Sequence, residues 1–183
     1  MSARRAKIAG NQSGQGAGRR ANDVTTAVNS FRRLLRELRV VARRTEETTG
    51  LSAAQLFVLS AVGESSGCSI NEVAAATMTD RSSAAAIVDR LVSAGYLIRE
   101  KSEGDRRRAS IVLTSRGRRA IRTASPAPTT LLVRGLSKIR PNQLRELTRG
   151  VLALTRAMGI AEEPPRMLFE DGRDRMRRQA RAR

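Results

Sequence analysis

The stretch Ile98 to Thr114, IREKSEGDRRRASIVLT, constrains this chain more than any other, because two strand-forming patterns flank a turn that holds three consecutive arginines behind an aspartate. Tyr96, Leu97 and Ile98 on one side and Ile111, Val112 and Leu113 on the other have strand-favouring side chains, and Glu103, Gly104 and Asp105 supply turn residues between them. Such a hairpin presents cations at its tip. It follows directly on Ser69 to Gly95, which reads as a helix-turn-helix, and that order of elements describes a winged helix that docks on duplex DNA. Guanidinium groups at the tip suit the narrow, electronegative minor groove and need no particular base there. The bland reading is a solvated surface hairpin, which the neighbouring helices disfavour.

At 183 residues with 40% hydrophobic content, the chain can hold one ordinary domain, or a small domain with long helical extensions, and can bury a core. The 35 Lys plus Arg against 17 Asp plus Glu give a formal charge of +18, which calls for a polyanionic partner such as nucleic acid or an acidic membrane surface. The charge is concentrated at the ends. Residues 1–20 carry Arg4, Arg5, Lys7, Arg19 and Arg20 with no acid, and residues 173–183 carry six arginines against Asp174, so each end contributes +5. Those ends lack an apolar period and would add sequence-independent phosphate affinity without specificity. Apart from Lys7, Lys101 and Lys138 the cations are all arginines, which suits bidentate contacts and equally fits a genome of biased base composition.

Several function classes drop out. No apolar run approaches the ~20 residues of a membrane span and the N-terminus lacks a signal peptide's apolar centre, so a cytoplasmic protein without a membrane partner is expected. A single cysteine, Cys68, forbids an internal disulfide, and the absence of histidine removes the usual metal ligand and general base. No metal, cofactor or catalytic residue is expected. Aromatic content of 2% argues against a single-strand binder built on stacking platforms.

The expected fold class is mostly α with a small β wing: a winged helix-turn-helix domain plus N- and C-terminal helices that form a dimerisation domain. Residues 1–21, rich in Gly, Ser, Gln, Arg and Ala, read as a flexible basic arm, with order beginning near Asn22. From Val24 the stripe Val24, Ala27, Val28, Phe31, Leu34, Leu35, Leu38, Val41 and Ala42 predicts a long first helix ended by Gly50. It is longer than a small DNA-binding domain needs, so its extra turns require a partner helix or a second subunit. Ser52 caps a second helix to about Gly63, Ser69 a short third, and Thr79 or Asp80 a fourth whose inward face is Ala84, Ile87, Val88 and Leu91, with Gly95 ending it. After the wing, Thr114 or Ser115 caps a fifth helix to about Ala124, which Ser125-Pro126-Ala127-Pro128 interrupts before a segment from Thr130 to Ser137. Pro141 opens a last helix with the stripe Leu144, Leu147, Val151, Leu154 and Met158. The predicted organisation is therefore 22–50 and 115–160 as the helical dimerisation region, 51–114 as the winged helix-turn-helix, and 161–183 as a basic C-terminal tail with the apolar cluster Met167-Leu168-Phe169.

With its inward face assigned, the fourth helix leaves Arg81, Ser82, Ser83, Ala85 and Ala86 near its exposed N-terminal half, which faces the major groove in a docked helix-turn-helix. Arg81 is placed to donate to guanine O6 and N7, the serines to contact bases or phosphates, and the alanine methyls to touch thymine methyls. The alternative for either serine is a purely capping role. Wing candidates are Asp105, Arg106, Arg107 and Arg108; dimerisation candidates are Val28, Phe31, Leu35, Leu147, Val151 and Leu154. Cys68 is the one redox candidate, weighed against burial as a small apolar residue because no neighbouring cation is present to depress its pKa.

The segment Asp89 to Leu97, DRLVSAGYL, the wing Asp105-Arg106-Arg107 and the sequence Leu113-Thr114-Ser115-Arg116-Gly117, in that order, closely resemble the MarR family of bacterial transcription regulators. The resemblance extends more weakly over residues 22–160. It implies a two-fold dimer paired through the terminal helices, each subunit placing one helix in the major groove and one wing in the flanking minor groove. It makes Arg107 the wing arginine and Asp105 the acid that holds an arginine in place, while the flanking Arg106 and Arg108 leave open which guanidinium enters the groove. Pro126 and Pro128 depart from the long uninterrupted helix usual there. The resemblance also implies release from DNA by small aromatic acids, phenols or oxidants, with a ligand cleft expected between the first, second and fifth helices and the wing.

The reading that results is a sequence-specific double-stranded DNA-binding regulator, a ligand-responsive repressor acting as a homodimer on a pseudo-palindrome, with a small-molecule effector of unknown identity. The competing class is a nucleoid-associated protein that uses the same contacts with little sequence discrimination. An enzyme is least supported, since paired carboxylates in a glycine-bounded cleft and a phosphate-cradling glycine loop are both missing.

Overall fold

Side-chain caps set where most of the helices begin. A computed structural model describes residues 2–65, 67–101, 109–163 and 167–169, with the side chains of 2–17, Lys101 and Ala109 excepted. Ser52 starts α2 (Ala53–Gly63) by a reciprocal capping box, its hydroxyl accepting from Gln55 N at 3.2 Å while Gln55 Oε1 accepts from Ser52 N at 2.9 Å. Ser69 and Glu72 repeat that device at α3 (Ile70–Ala76), with 3.3 and 2.7 Å. Asp80 caps α4 (Arg81–Ser93), and Thr114 caps α5 (Ser115–Thr123) by accepting from Gly117 N at 3.1 Å. α6 (Pro128–Leu136) and α7 (Pro141–Ala157) begin instead on a proline in the first turn, where the missing amide costs no helical bond. The Pro126–Pro128 segment thus ends one helix and opens the next.

The N-terminal helix differs from expectation. α1 runs from Ser2 to Thr49, some twenty residues ahead of the start read at Asn22. Residues 2–21 carry no apolar period, so their helical conformation left no mark that a periodicity argument detects.

The chain resolves into two compact units, residues 1–40 and 41–183. In the first, helical residues from Gly18 onward are almost all exposed, and Val24, Val28, Phe31, Leu34 and Leu35 show an apolar stripe. The second holds the core. α2 buries Leu56, Val58, Leu59 and Val62, and α4 buries Ala84, Ile87, Val88 and Leu91, the four residues predicted for its inward face. Val73 of α3, Leu97 of β1 (Leu97–Lys101) and Ile111 of β2 (Ala109–Leu113) close the same cluster. Each fully enclosed Leu or Ile stabilises the fold by about 1.5–3 kcal/mol. β1 and β2 pair antiparallel with Leu97 opposite Leu113 and Lys101 opposite Ala109. Cys68 adds a short third rung, its amide donating to Ile111 O at 3.1 Å and its carbonyl accepting from Ile111 N at 2.8 Å.

Two packing features were not foreseen. α5 and α6 lie against α2, with Ala120 and Ile121 on the core, so packing continues across the expected boundary at 114/115. Met167, beyond α7, is buried as a member of the winged-helix cluster. Among the described residues, no helix is long and apolar enough to cross a membrane.

Candidate nucleic-acid interface

The recognition surface is created by what α4 hides. With Ala84, Ile87, Val88 and Leu91 turned into the core, Arg81 and Ser82 are exposed at the N-terminal end of the helix, and Ala85 and Ala86 lie half-buried beside them. The side chains of Arg81 and Ser82 make no hydrogen bond or ion pair with the described residues, so their side-chain donors are available to a partner, while the Ser82 amide bonds the Asp80 carboxylate. Ser83 is different. Its amide donates to Asp80 Oδ1 at 2.9 Å and its hydroxyl to Asp80 Oδ2 at 2.7 Å, which commits the hydroxyl proton to the cap and leaves only lone pairs for other contacts. The same hydroxyl bond, followed by the amide bond, holds the Asp80 carboxyl below the usual carboxylate range.

The α3–α4 connection is tight. Thr79 N bonds Ala74 O at 3.0 Å and Met78 N bonds Ala75 O at 3.1 Å, a Schellman closure that puts Met78 in the left-handed region at φ 52°.

β1 and β2 bring the chain to Lys101 and back from Ala109, and the wing candidates Asp105, Arg106, Arg107 and Arg108 lie outside the described residues. The base of the wing is tied to the recognition helix by the ion pair of Arg99 on β1 with Asp89 on α4. Both partners are largely solvated, so the pair is worth about 0.2–1 kcal/mol and acts more on orientation than on stability.

A second set of contacts joins the end of α4 to the start of α5, and it accounts for Thr114, Arg116 and Gly117 of the Leu113–Gly117 sequence. Gly95 ends α4 at φ 75°. Besides capping α5, Thr114 Oγ1 donates to Gly95 O at 2.8 Å. Arg116 Nη1 donates to Ala94 O at 2.9 Å, at the electronegative end of α4, and its guanidinium lies 4.4 Å from the Tyr96 ring centroid. A Cβ on Gly117 would stand 2.3 Å from Tyr96 O, so only glycine lets α5 approach this closely. Arg116 and Tyr96 were not singled out as a pair from sequence, because their partnership spans the wing.

Cys68 is buried, and its thiol is pushed up first by burial and then by the Glu72 charge. Thiolate, not thiol, is the reactive species, so this environment opposes the redox role.

A cavity of about 530 Å³ opens between α2, α5, the Ser125–Ala127 turn and α6, with Leu56, Ser60, Leu113 and Ile121 among its apolar and neutral walls. Arg118, Arg122 and Arg134 contribute cations and Glu64 one acid. Arg118 donates to Leu113 O at 2.7 Å, while the guanidinium groups of Arg122 and Arg134 have no partner among the described residues. This cavity shares α2, α5 and the β2 residue Leu113 with the cleft expected between the first, second and fifth helices and the wing, and adds α6. The dimerisation candidates Val28, Phe31 and Leu35 on α1 and Leu147, Val151 and Leu154 on α7 are each about 40% exposed, and α7 buries no residue at all.

A MarR family model matches residues 49–108, which run from the end of α1 to the residue before β2. Two curated proteins are similar. The HTH-type transcriptional regulator BilQ of Clostridium symbiosum (strain WAL-14163) is 35% identical over 75 residues, 41% of this chain and 52% of that protein, so the match spans about half of that relative. The uncharacterized HTH-type transcriptional regulator YcgE of Bacillus subtilis (strain 168) is 31% identical over 129 residues, 70% of this chain and 79% of that protein. Among solved structures, a MarR family transcription regulator aligns with TM-score 0.51 at 24% identity, covering 78% of this chain and 95% of that one. A MepR-like protein complexed with pseudoligands aligns with TM-score 0.50 at 19% identity over 75% and 96%. These two likenesses bear on the fold.

Proposed function

The chain belongs to the MarR family of helix-turn-helix transcription regulators, and on that premise we propose that it is a ligand-responsive repressor which binds a pseudo-palindromic operator in the cytoplasm as a homodimer. The observation that carries this reading is the N-terminal half of α4, where the side chains of Arg81 and Ser82 stand exposed and without a partner among the described residues, on a helix whose opposite face is fully buried and whose C-terminal half is ion-paired to the base of the wing. Arg81 reads guanine in the major groove, Ser82 and the partner-free lone pairs of Ser83 bond bases or phosphates, and the methyls of Ala85 and Ala86 meet thymine. Arg106, Arg107 and Arg108, behind Asp105, supply the minor-groove contact.

Dimerisation is supported by α7. A helix of 17 residues with Leu147, Val151 and Leu154 in register and nothing buried has an unfinished apolar face, and Val28, Phe31 and Leu35 repeat the pattern on α1. A second copy of the chain covers such faces by two-fold symmetry, which also matches a palindromic site. Responsiveness to a small molecule is supported by the cavity between α2, α5 and α6, whose free Arg122 and Arg134 favour an organic anion with an apolar body.

The +5 at each end of the chain favours a second reading, an architectural protein that coats DNA with little discrimination. Measuring affinity for duplexes selected from a random pool against unselected duplexes at physiological salt separates the two. A regulator gives a ratio of at least about 10³, and a ratio near unity establishes the architectural reading instead.

A further inference from the structure

Four of the described helices end in a left-handed residue, and three of them use glycine there: Gly50 after α1 at φ 68°, Gly95 after α4 at φ 75° and Gly159 after α7 at φ 71°. The fourth, after α3, uses Met78 at φ 52°. A methionine in this region crowds its Cβ against the following carbonyl, so the backbone favours glycine or asparagine at the position. Nothing in the fold compensates. The Met78 side chain is 60% exposed and no part of the hydrophobic core, and the two closing bonds to Ala74 O and Ala75 O are made by backbone amides that glycine would supply equally. A long apolar side chain therefore stands in water, on a strained backbone, three residues before Arg81.

We propose that Met78 is a DNA-contacting residue, laying its thioether side chain on the apolar edge of the duplex at the rim of the α4 footprint. In a docked helix-turn-helix the turn before the recognition helix lies beside the major groove, and the two apolar surfaces within reach there are the thymine 5-methyl group and the deoxyribose ring. The rest of the footprint gives the contact its importance. Ser82, Ser83, Ala85 and Ala86 are all short and Arg81 ends in a charge, so Met78 is the one long apolar side chain of the set. Three flexible side-chain torsions let it conform to that surface.

This inference rests on the regulator reading, and the experiment separates the two. The full-length protein selects duplexes from a random pool, and affinity for the enriched duplex is measured for wild type, Met78→Gly, Met78→Asn and Met78→Leu, with the melting temperature of each. Met78→Gly and Met78→Asn should melt at or above the wild-type temperature, because the backbone is relieved, yet bind the enriched duplex roughly tenfold more weakly, the scale of one lost base contact. Met78→Leu should bind as wild type does. Uracil replacing thymine in the enriched duplex should reproduce the loss in wild type, and leave Met78→Gly unaffected, if the contact is the methyl group. An equal loss on unselected duplexes with no uracil effect assigns it to the sugar. Met78→Gly binding within twofold of wild type overturns the proposal, as does a loss in Met78→Leu equal to that in Met78→Gly. A wild-type protein that enriches no sequence overturns the regulator reading itself.

Discussion

Helix α2 is apolar nearly all round and α7 carries an apolar stripe, yet α2 hides six of its residues and α7 hides none. The difference lies in neighbours. α2 sits against α3, α4, α5, α6 and β2, so its apolar surface is used up within the chain, whereas Leu147, Val151 and Leu154 of α7 keep about 40% of their surface in water. An amphipathic helix draws most of its stability from the surface its stripe covers, so α2 is held by its neighbours in the chain, while the stripe of α7 is open to the second copy proposed above. The largest effect that tests this is in the core. Leu91→Ala, at a site with no exposure, should cost about 2–5 kcal/mol in urea unfolding, and Leu147→Ala far less at concentrations where the protein is monomeric. Equal losses at low concentration would mean that α7 is covered within the chain after all.

The same contrast is sharpened by charge. Leu147→Glu should abolish a dimer, since a buried unpaired carboxylate costs on the order of several kcal/mol, and should leave the winged-helix unit folded. Sedimentation should then give the chain mass of 19.9 kDa instead of twice that value, with far-ultraviolet circular dichroism retained. A smaller effect is expected at the junction of α4 and α5. Gly117→Ala forces a methyl group against Tyr96 O, and should cost about 1–3 kcal/mol and weaken DNA binding by shifting the end of α4. Wild-type stability in that variant would show that α5 moves freely against the recognition helix.

What the sequence revealed follows from range. Ser52, Ser69 and Thr114 cap their helices through atoms three residues away, and the inward face of α4 repeats every three or four residues, so both were legible locally. Met167 enters the core from beyond α7, and the cavity collects Arg118, Arg122 and Arg134 from two helices on either side of a proline turn; no spacing rule links such positions. The strain at Met78 was hidden for another reason. Thr77-Met78-Thr79 reads as a short connection, but only the backbone shows which of the three takes the left-handed place. Helical residues 2–21 lacked the periodic signal, whereas the proline interruption and the segment that resumes after it were legible, since Pro126 and Pro128 fall between the end of α5 and the first turn of α6.

The smallest predicted effect concerns the cap of the recognition helix, where folding and binding pull in opposite directions. Asp80 accepts both the amide and the hydroxyl of Ser83, and the hydroxyl bond foremost keeps its carboxyl below the ordinary value of 3.8. A folded-state pKa below the unfolded one means a contribution that is fully present above the unfolded value and is lost as pH falls through the folded one. The melting temperature of wild type should therefore fall, relative to Asp80→Asn, as pH drops below about 4, while the two track each other near neutrality because asparagine caps almost as well as aspartate. At neutral pH the aspartate also sets a negative charge at the end of α4 that, in the proposed docking, approaches the DNA backbone. Asp80→Asn keeps the cap and removes that charge, so DNA affinity should rise modestly, by about the few-fold effect of one unfavourable charge, and more at low salt than at high. An affinity unchanged at every salt concentration would place Asp80, and with it the start of α4, away from the DNA backbone.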